Sequence, residues 1–195
     1  MFTCTFAGHR QLFEAGVDGR VDATLERLIR AEREILFLSG GMGEFDRLCE
    51  RAVRRLRARH PDARVRLVLV LPRLARDINE NRALYASAYD GVLVPEELAG
   101  VHFKRAISMR NRWMVDRSQA LLFYVLRDFG GAWATLQYAR RRPGLCLIDL
   151  AACSDRFRAR DHASPEARMM SRATTTPVTD ACISPRVTPA PSPMA

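Results

Sequence analysis

Glu34-Ile35-Leu36-Phe37-Leu38-Ser39-Gly40-Gly41-Met42-Gly43-Glu44-Phe45-Asp46 is an apolar run that stops at glycines and passes into a helical pattern. A buried strand that feeds a glycine turn and then a helix leaves backbone N–H groups without intrahelical partners, with the positive end of the helix dipole behind them. Such a turn suits an anion, above all a phosphate. The glycines allow positive φ and close approach of a ligand that a Cβ would obstruct. An ordinary strand-to-helix turn has the same pattern, so the rest of the chain has to decide between the two.

The other segments follow the same rhythm. Phe2 to Ala7 is a short β-prone run ending at Gly8-His9-Arg10, and Val21, Leu25, Leu28 and Ile29 recur at helical spacing after it. Phe45, Leu48, Ala52, Val53 and Leu56 form the apolar stripe of the helix after the glycine turn. Val65 to Leu71 is a third strand stopped by Pro72, which cannot extend a ladder. A helix around Asn81 to Ala88, a brief strand over Gly91 to Val94, and a loop from Pro95 to Ile107 follow. Ser108 then caps a helix through Arg117. Ala120 to Val125 is a continuous apolar strand, Gly130-Gly131 opens a helix to Arg142, and Gly144 to Leu150 is a last strand. Strands that are apolar throughout, alternating with helices, predict a parallel sheet covered on both faces. The expected architecture is α/β: a Rossmann-like, doubly wound, mainly parallel sheet over residues 1–150. Ligands in such sheets bind beyond the carboxyl ends of the strands, where the strand order reverses.

Composition narrows the class. The chain has 195 residues and 31 Lys+Arg against 22 Asp+Glu, a net charge of +9 that favours anionic partners. Arginine outweighs lysine so heavily that the charge by itself does not argue for DNA. No apolar run approaches the roughly 20 residues that span a bilayer, and the start of the chain reads as a strand and not as a signal peptide. Five cysteines without a C-x-x-C pair argue against a zinc ribbon and a disulfide framework. Cys4, Cys49 and Cys146 read as small core residues, and a reducing cytoplasm fits them. No metal site is expected. Residues 151–195, rich in Pro, Thr and Ser, lack apolar periodicity and read as a disordered tail.

The switch-point rule brings four segments to one rim. The candidate ligand-binding residues are Gly8, His9 and Arg10; Ser39, Gly40, Gly41, Gly43 and Asp46; Arg110 and Asn111; and Gly130, Gly131 and Thr135. Arg10 and Arg110 supply charge-assisted contacts to phosphate, Asn111 an amide for a ribose or base edge, and His9 a contact at the first strand end. Asp116 reads as structural. Arg47, Arg51, Arg54, Arg55, Arg57 and Arg59 crowd the second helix, and without interleaved aromatics they read as a solvated face. Nucleic acid is therefore expected to be an unlikely partner. A small nucleotide-like ligand is expected, with no membrane partner, and a homo-oligomer is compatible with the sequence.

The combination of Gly8-His9-Arg10, Gly40 to Asp46, Arg110-Asn111-Arg112-Trp113-Met114-Val115-Asp116 and Gly130-Gly131 with Thr135 and Ala139 resembles the SLOG superfamily. The likeness is greatest to its YpsA-like branch of Rossmann-like proteins, a domain-of-unknown-function branch related to LOG and DNA-processing protein A. The resemblance covers most of residues 2–149. It implies a cytoplasmic domain that binds a nucleotide or nucleotide derivative, and no activity follows from it. The family's second glycine pair is usually followed by Thr, where this chain has Ala132. LOG phosphoribohydrolases carry a glutamate downstream of that pair, where Thr135-Leu136-Gln137-Tyr138 has no carboxylate. The alternative function, N-glycosidic hydrolysis of a nucleoside monophosphate, would therefore fall to Asp46 or Glu44 as catalytic carboxylate.

Overall fold

A computed structural model describes residues 1–73, 78 and 80–151. Its elements are β1 (Phe2–Gly8), α1 (Val17–Glu32), β2 (Glu34–Ser39), α2 (Glu44–Arg59), β3 (Arg64–Val70), α3 (Arg82–Ala88), β4 (Gly91–Leu93), α4 (Phe103–Asp116), β5 (Ala120–Tyr124), α5 (Gly130–Ala139) and β6 (Cys146–Asp149). The six strands form one sheet in the order β4-β3-β2-β1-β5-β6, and every pairing is parallel. The chain builds outward from β1 to β4, then crosses back through α4 to place β5 on the other side of β1. Strand order reverses between β1 and β5, as a doubly wound sheet requires.

Alternation along the strands divides the core between the two faces. Cys4 and Phe6 of β1 and Ala120, Leu122 and Tyr124 of β5 pack with Val21, Leu25, Phe45, Val53 and Leu56 of α1 and α2. Ala7, Leu121 and Phe123 point the other way, onto Val115 of α4 and Leu136 and Ala139 of α5. β5 is buried along its whole length, which is why its sequence shows no alternation.

Three local expectations need correction. α4 begins at Phe103, so Ser108 lies inside it and caps nothing. A short 3-10 turn, Glu96–Leu98, stands within the segment read as loop, anchored by buried Leu98. Cys146 is only half-buried on the outermost strand and is disulfide-bonded, whereas Cys4 and Cys49 are free and fully buried. The tail, with Cys153 and Cys182, lies outside the described residues. Among the described residues no helix is long and apolar enough to cross a membrane.

Candidate functional site

A cavity of about 560 Å3 opens at the carboxyl ends of β1 and β5, where the strand order reverses. Ten residues of the sequence-derived set line it: Gly8, His9, Arg10, Gly40, Asp46, Arg110, Asn111, Gly130, Gly131 and Thr135. Ser39, Gly41, Gly43 and Glu44 stand outside its walls. Three arginines (Arg10, Arg110 and Arg127) and one carboxylate, Asp46, face the space, so its electrostatic bias is toward anions.

The glycine turn at 40–43 is built differently from a phosphate cradle. The Gly41 amide donates to Ser39 Oγ at 3.1 Å, the Met42 amide to Asp46 Oδ2 at 2.9 Å, and the Glu44 amide to the Arg10 carbonyl at 2.9 Å. Three of the donors that the sequence offered to a ligand are thus spent inside the protein. The glycines answer to packing. A Cβ on Gly40 would come within 2.4 Å of the Arg110 guanidinium, and Gly43, at φ 122°, lets the Arg10 backbone pass where a Cβ would meet its Cα at 2.8 Å. Ser39 is fully buried, its hydroxyl bonded to Glu50. Glu44 is at the surface, where Oε2 accepts the Leu12 amide at 2.8 Å and ties the β1–α1 loop to α2.

Arg110 is a strut beneath the same turn. Only 2% exposed, it donates from one terminal nitrogen to the carbonyls of Gly40 at 2.6 Å and Val70 at 2.9 Å, and the other lies 3.2 Å from Met42 Sδ. Its Nε is buried with no hydrogen-bond partner. Asp46 sits beside it, 8% exposed, and burial pushes its carboxyl up to about 7 against the lowering effects of the Met42 amide and the Arg110 charge. A cavity-lining acid that titrates near neutrality can both give and take a proton.

The second glycine pair presents the opposite picture. Gly130 (φ 88°) and Gly131 begin α5 with open space around both Cα atoms, and no side chain caps the helix. The amides of Gly130, Gly131 and Ala132 have no hydrogen-bond partner among the described residues. Thr135 does not add a free hydroxyl: it donates to the Gly131 carbonyl at 2.8 Å and accepts from Asn111 Nδ2 at 3.0 Å. That chain fixes the first turn of α5 against α4 and leaves Asn111 Oδ1 as the amide's acceptor.

His9 holds the loop that precedes α5. Its Nε2 accepts the amides of Leu126 at 2.8 Å and Arg127 at 3.3 Å, so the neutral ring carries its proton on Nδ1. Burial, and then the Arg127 charge, hold its pKa below the ordinary histidine value. The ring is wedged edge-to-face against Phe13 and Tyr124, with centroids 6.2 Å from each. Arg127 lies over the rings of Phe13 at 4.5 Å and Phe129 at 5.9 Å. These three residues rim the cavity, and the two phenylalanines are 46% and 63% exposed. Sequence reading passed over them; a phenylalanine between Asp128 and a glycine pair, in a polar loop, was the available signal.

No protein-family model matches the sequence, and no curated protein matches it. Solved structures do. DNA processing protein A from Helicobacter pylori, described for its single-stranded DNA binding mode, aligns at a TM-score of 0.54 with 16% identity over 76% of this chain and 64% of its own. DNA processing protein A from Streptococcus pneumoniae aligns at 0.56 with 14% identity over 84% and 57%. This chain thus spans about three-fifths of the length of either. The expectation that nucleic acid is an unlikely partner does not survive the first of these comparisons, because a structure of this architecture binds single-stranded DNA. It rested on the lack of aromatics beside the arginines of α2, none of which lines the cavity, whereas Phe13 and Phe129 do. At these identities the likeness is one of fold, and the chain has a Rossmann-like fold of the kind found in DNA processing protein A, in line with its resemblance to the SLOG superfamily.

Proposed function

We propose that the cavity binds a nucleotide or nucleotide derivative with a phosphate on the amides of Gly130, Gly131 and Ala132. One observation carries this reading: an uncapped helix start opens into a cavity lined by three arginines, one of them buried with an unpartnered Nε. Helix N–H groups and the helix dipole stabilise an anion there. Arg127 and Arg10 neutralise the phosphate, Asn111 Oδ1 accepts from a ribose or base, and Phe13 and Phe129 offer faces on which a base stacks. The bound nucleotide is either free or one unit of a single strand, as in the Helicobacter pylori neighbour.

Gly131→Asp tests the phosphate seat. Its backbone accommodates a Cβ in open space, and an acidic residue in the first turn favours the helix while repelling an anion. Calorimetric titration with AMP, ADP-ribose and a short oligothymidylate should show at least one binding, with affinity reduced about tenfold or more in the variant. Equal affinity in both proteins, or no binding of any of the three, rejects the seat.

The second reading, hydrolysis of a nucleoside monophosphate at its glycosidic bond, is favoured by one group, Asp46, raised to about 7 on the cavity wall. Glu44 has no part in it, being outside the cavity and bonded to Leu12. Chromatography for free base decides the matter: release that disappears in Asp46→Asn supports it, and no release removes it.

A further inference from the structure

A second cavity, of about 310 Å3, shares Gly40 and Met42 with the first and faces the ends of β3 and α3. Its character is different. Tyr85 and Tyr89 stack with centroids 6.3 Å apart and planes 24° from parallel, and Phe103, on the first turn of α4, lines the same space. The Arg73 guanidinium lies 4.8 Å over the Phe103 ring. No charged carboxylate lines the space among the described residues.

One ring of this wall, Tyr89, is anchored from behind. The Tyr89 hydroxyl donates to Glu50 Oε2 at 2.8 Å, and the other oxygen of that carboxylate takes the Ser39 hydroxyl. Glu50 is 3% exposed, so the tyrosine ring is fixed by a buried bond and not by packing alone. Phe103, by contrast, is 41% exposed. An anchored Tyr89, its stacked neighbour Tyr85 and a half-exposed Phe103 with Arg73 over one face thus line one space at the lower end of small-ligand sites. Aromatic faces favour flat rings in offset stacking, and a guanidinium donates to ring nitrogens or carbonyls in the same plane.

We propose that this second cavity binds a planar heteroaromatic ring of nucleobase size, stacked on Phe103 and the Tyr85–Tyr89 pair and hydrogen-bonded by Arg73. The site needs no phosphate and does not depend on the reading of the first cavity. Gly40 and Met42 line both cavities, which therefore lie on either side of the same turn.

The test uses the full chain and ligand-observed saturation-transfer NMR with adenosine, which lacks a phosphate, alongside NAD and AMP. Adenosine should receive saturation from the protein, and Phe103→Ala and Tyr85→Ala should each weaken it by about tenfold. Phe103 is at the surface, so its variant keeps the fold. If NAD is weakened by both Phe103→Ala and Gly131→Asp, one ligand spans the two cavities; if adenosine alone responds to Phe103→Ala, the ring site stands by itself. AMP binding left unchanged by Gly131→Asp, with adenosine still weakened by Phe103→Ala, rejects the phosphate seat and leaves the ring site standing. No transfer to adenosine, or transfer unchanged in both aromatic variants, overturns the proposal.

Discussion

Arg110 and Asp46 show how far a residue's role depends on what surrounds it. In sequence Arg110 is a basic residue near a rim, available to a phosphate. In the fold its guanidinium satisfies the carbonyls of Gly40 and Val70, two acceptors that would otherwise be buried unpaired. Arg110→Met should therefore destabilise the protein by about 3 kcal/mol or more in urea unfolding, since both carbonyls lose their partner. Loss of ligand binding in that variant would report the collapse of the turn as much as the loss of a contact, which is why Gly131→Asp is the cleaner probe. Burial raises the Asp46 pKa from the ordinary carboxylate range to about 7. The folded state then holds a proton that the unfolded chain releases, so this group's contribution to stability falls as pH rises between about 4 and 7 and is flat above. Asp46→Asn, which keeps an acceptor for the Met42 amide, should raise the unfolding midpoint at pH 8, and the gain should shrink toward pH 4. A gain that is equal at both pH values would mean that the carboxyl is not perturbed.

Two elements begin with glycines, and their starts serve different purposes. At α2 the neighbouring glycines are spacers: a Cβ on Gly8 would lie 2.2 Å from the Phe45 ring, and one on Gly40 would displace Arg110. At α5 nothing lies within 4 Å of a Cβ on Gly131. Gly8→Ala should cost about 2 kcal/mol or more through overpacking, whereas Gly131→Ala should be neutral or stabilising by up to about 1 kcal/mol through helix propensity. Thermal unfolding of the pair checks this contrast, and equal losses would contradict it. The loop before α5 depends on His9. Since burial and Arg127 lower its pKa, the neutral ring is the folded form, and stability is lost as pH falls through and below the ordinary histidine range. Amide exchange at Leu126 and Arg127, corrected for intrinsic rates, should quicken on acidification in the native protein. In His9→Phe it should be fast at every pH.

At the scale of the molecule, one reversal of strand order makes the site. β5 lies beside β1 only because α4 carries the chain back across three strands, and this brings residues 9 and 126 into hydrogen-bond contact. Leu122, wholly buried at the middle of that strand, holds the juncture, and Leu122→Ala should cost about 2–5 kcal/mol in equilibrium unfolding. The parallel sheet, the strand positions and the gathering of Gly8 to Arg10, Arg110 and Gly130 at one rim were legible in the sequence. Continuous apolar runs, helical periodicity and glycine punctuation are local signals, and the topology of doubly wound sheets leaves few ways to assemble them. Which glycine turn keeps its amides free was not legible, because Gly40 to Gly43 and Gly130-Gly131 look alike along the chain. The first turn spends two amides on side chains close in sequence, Ser39 and Asp46, and a third on the Arg10 carbonyl 34 residues back, while Arg110, 70 residues on, takes the Gly40 carbonyl; no described atom comes within 4 Å of a Cβ placed on Gly130 or Gly131. Hydrogen-bond satisfaction is a property of three-dimensional neighbours, so only the folded molecule could decide it.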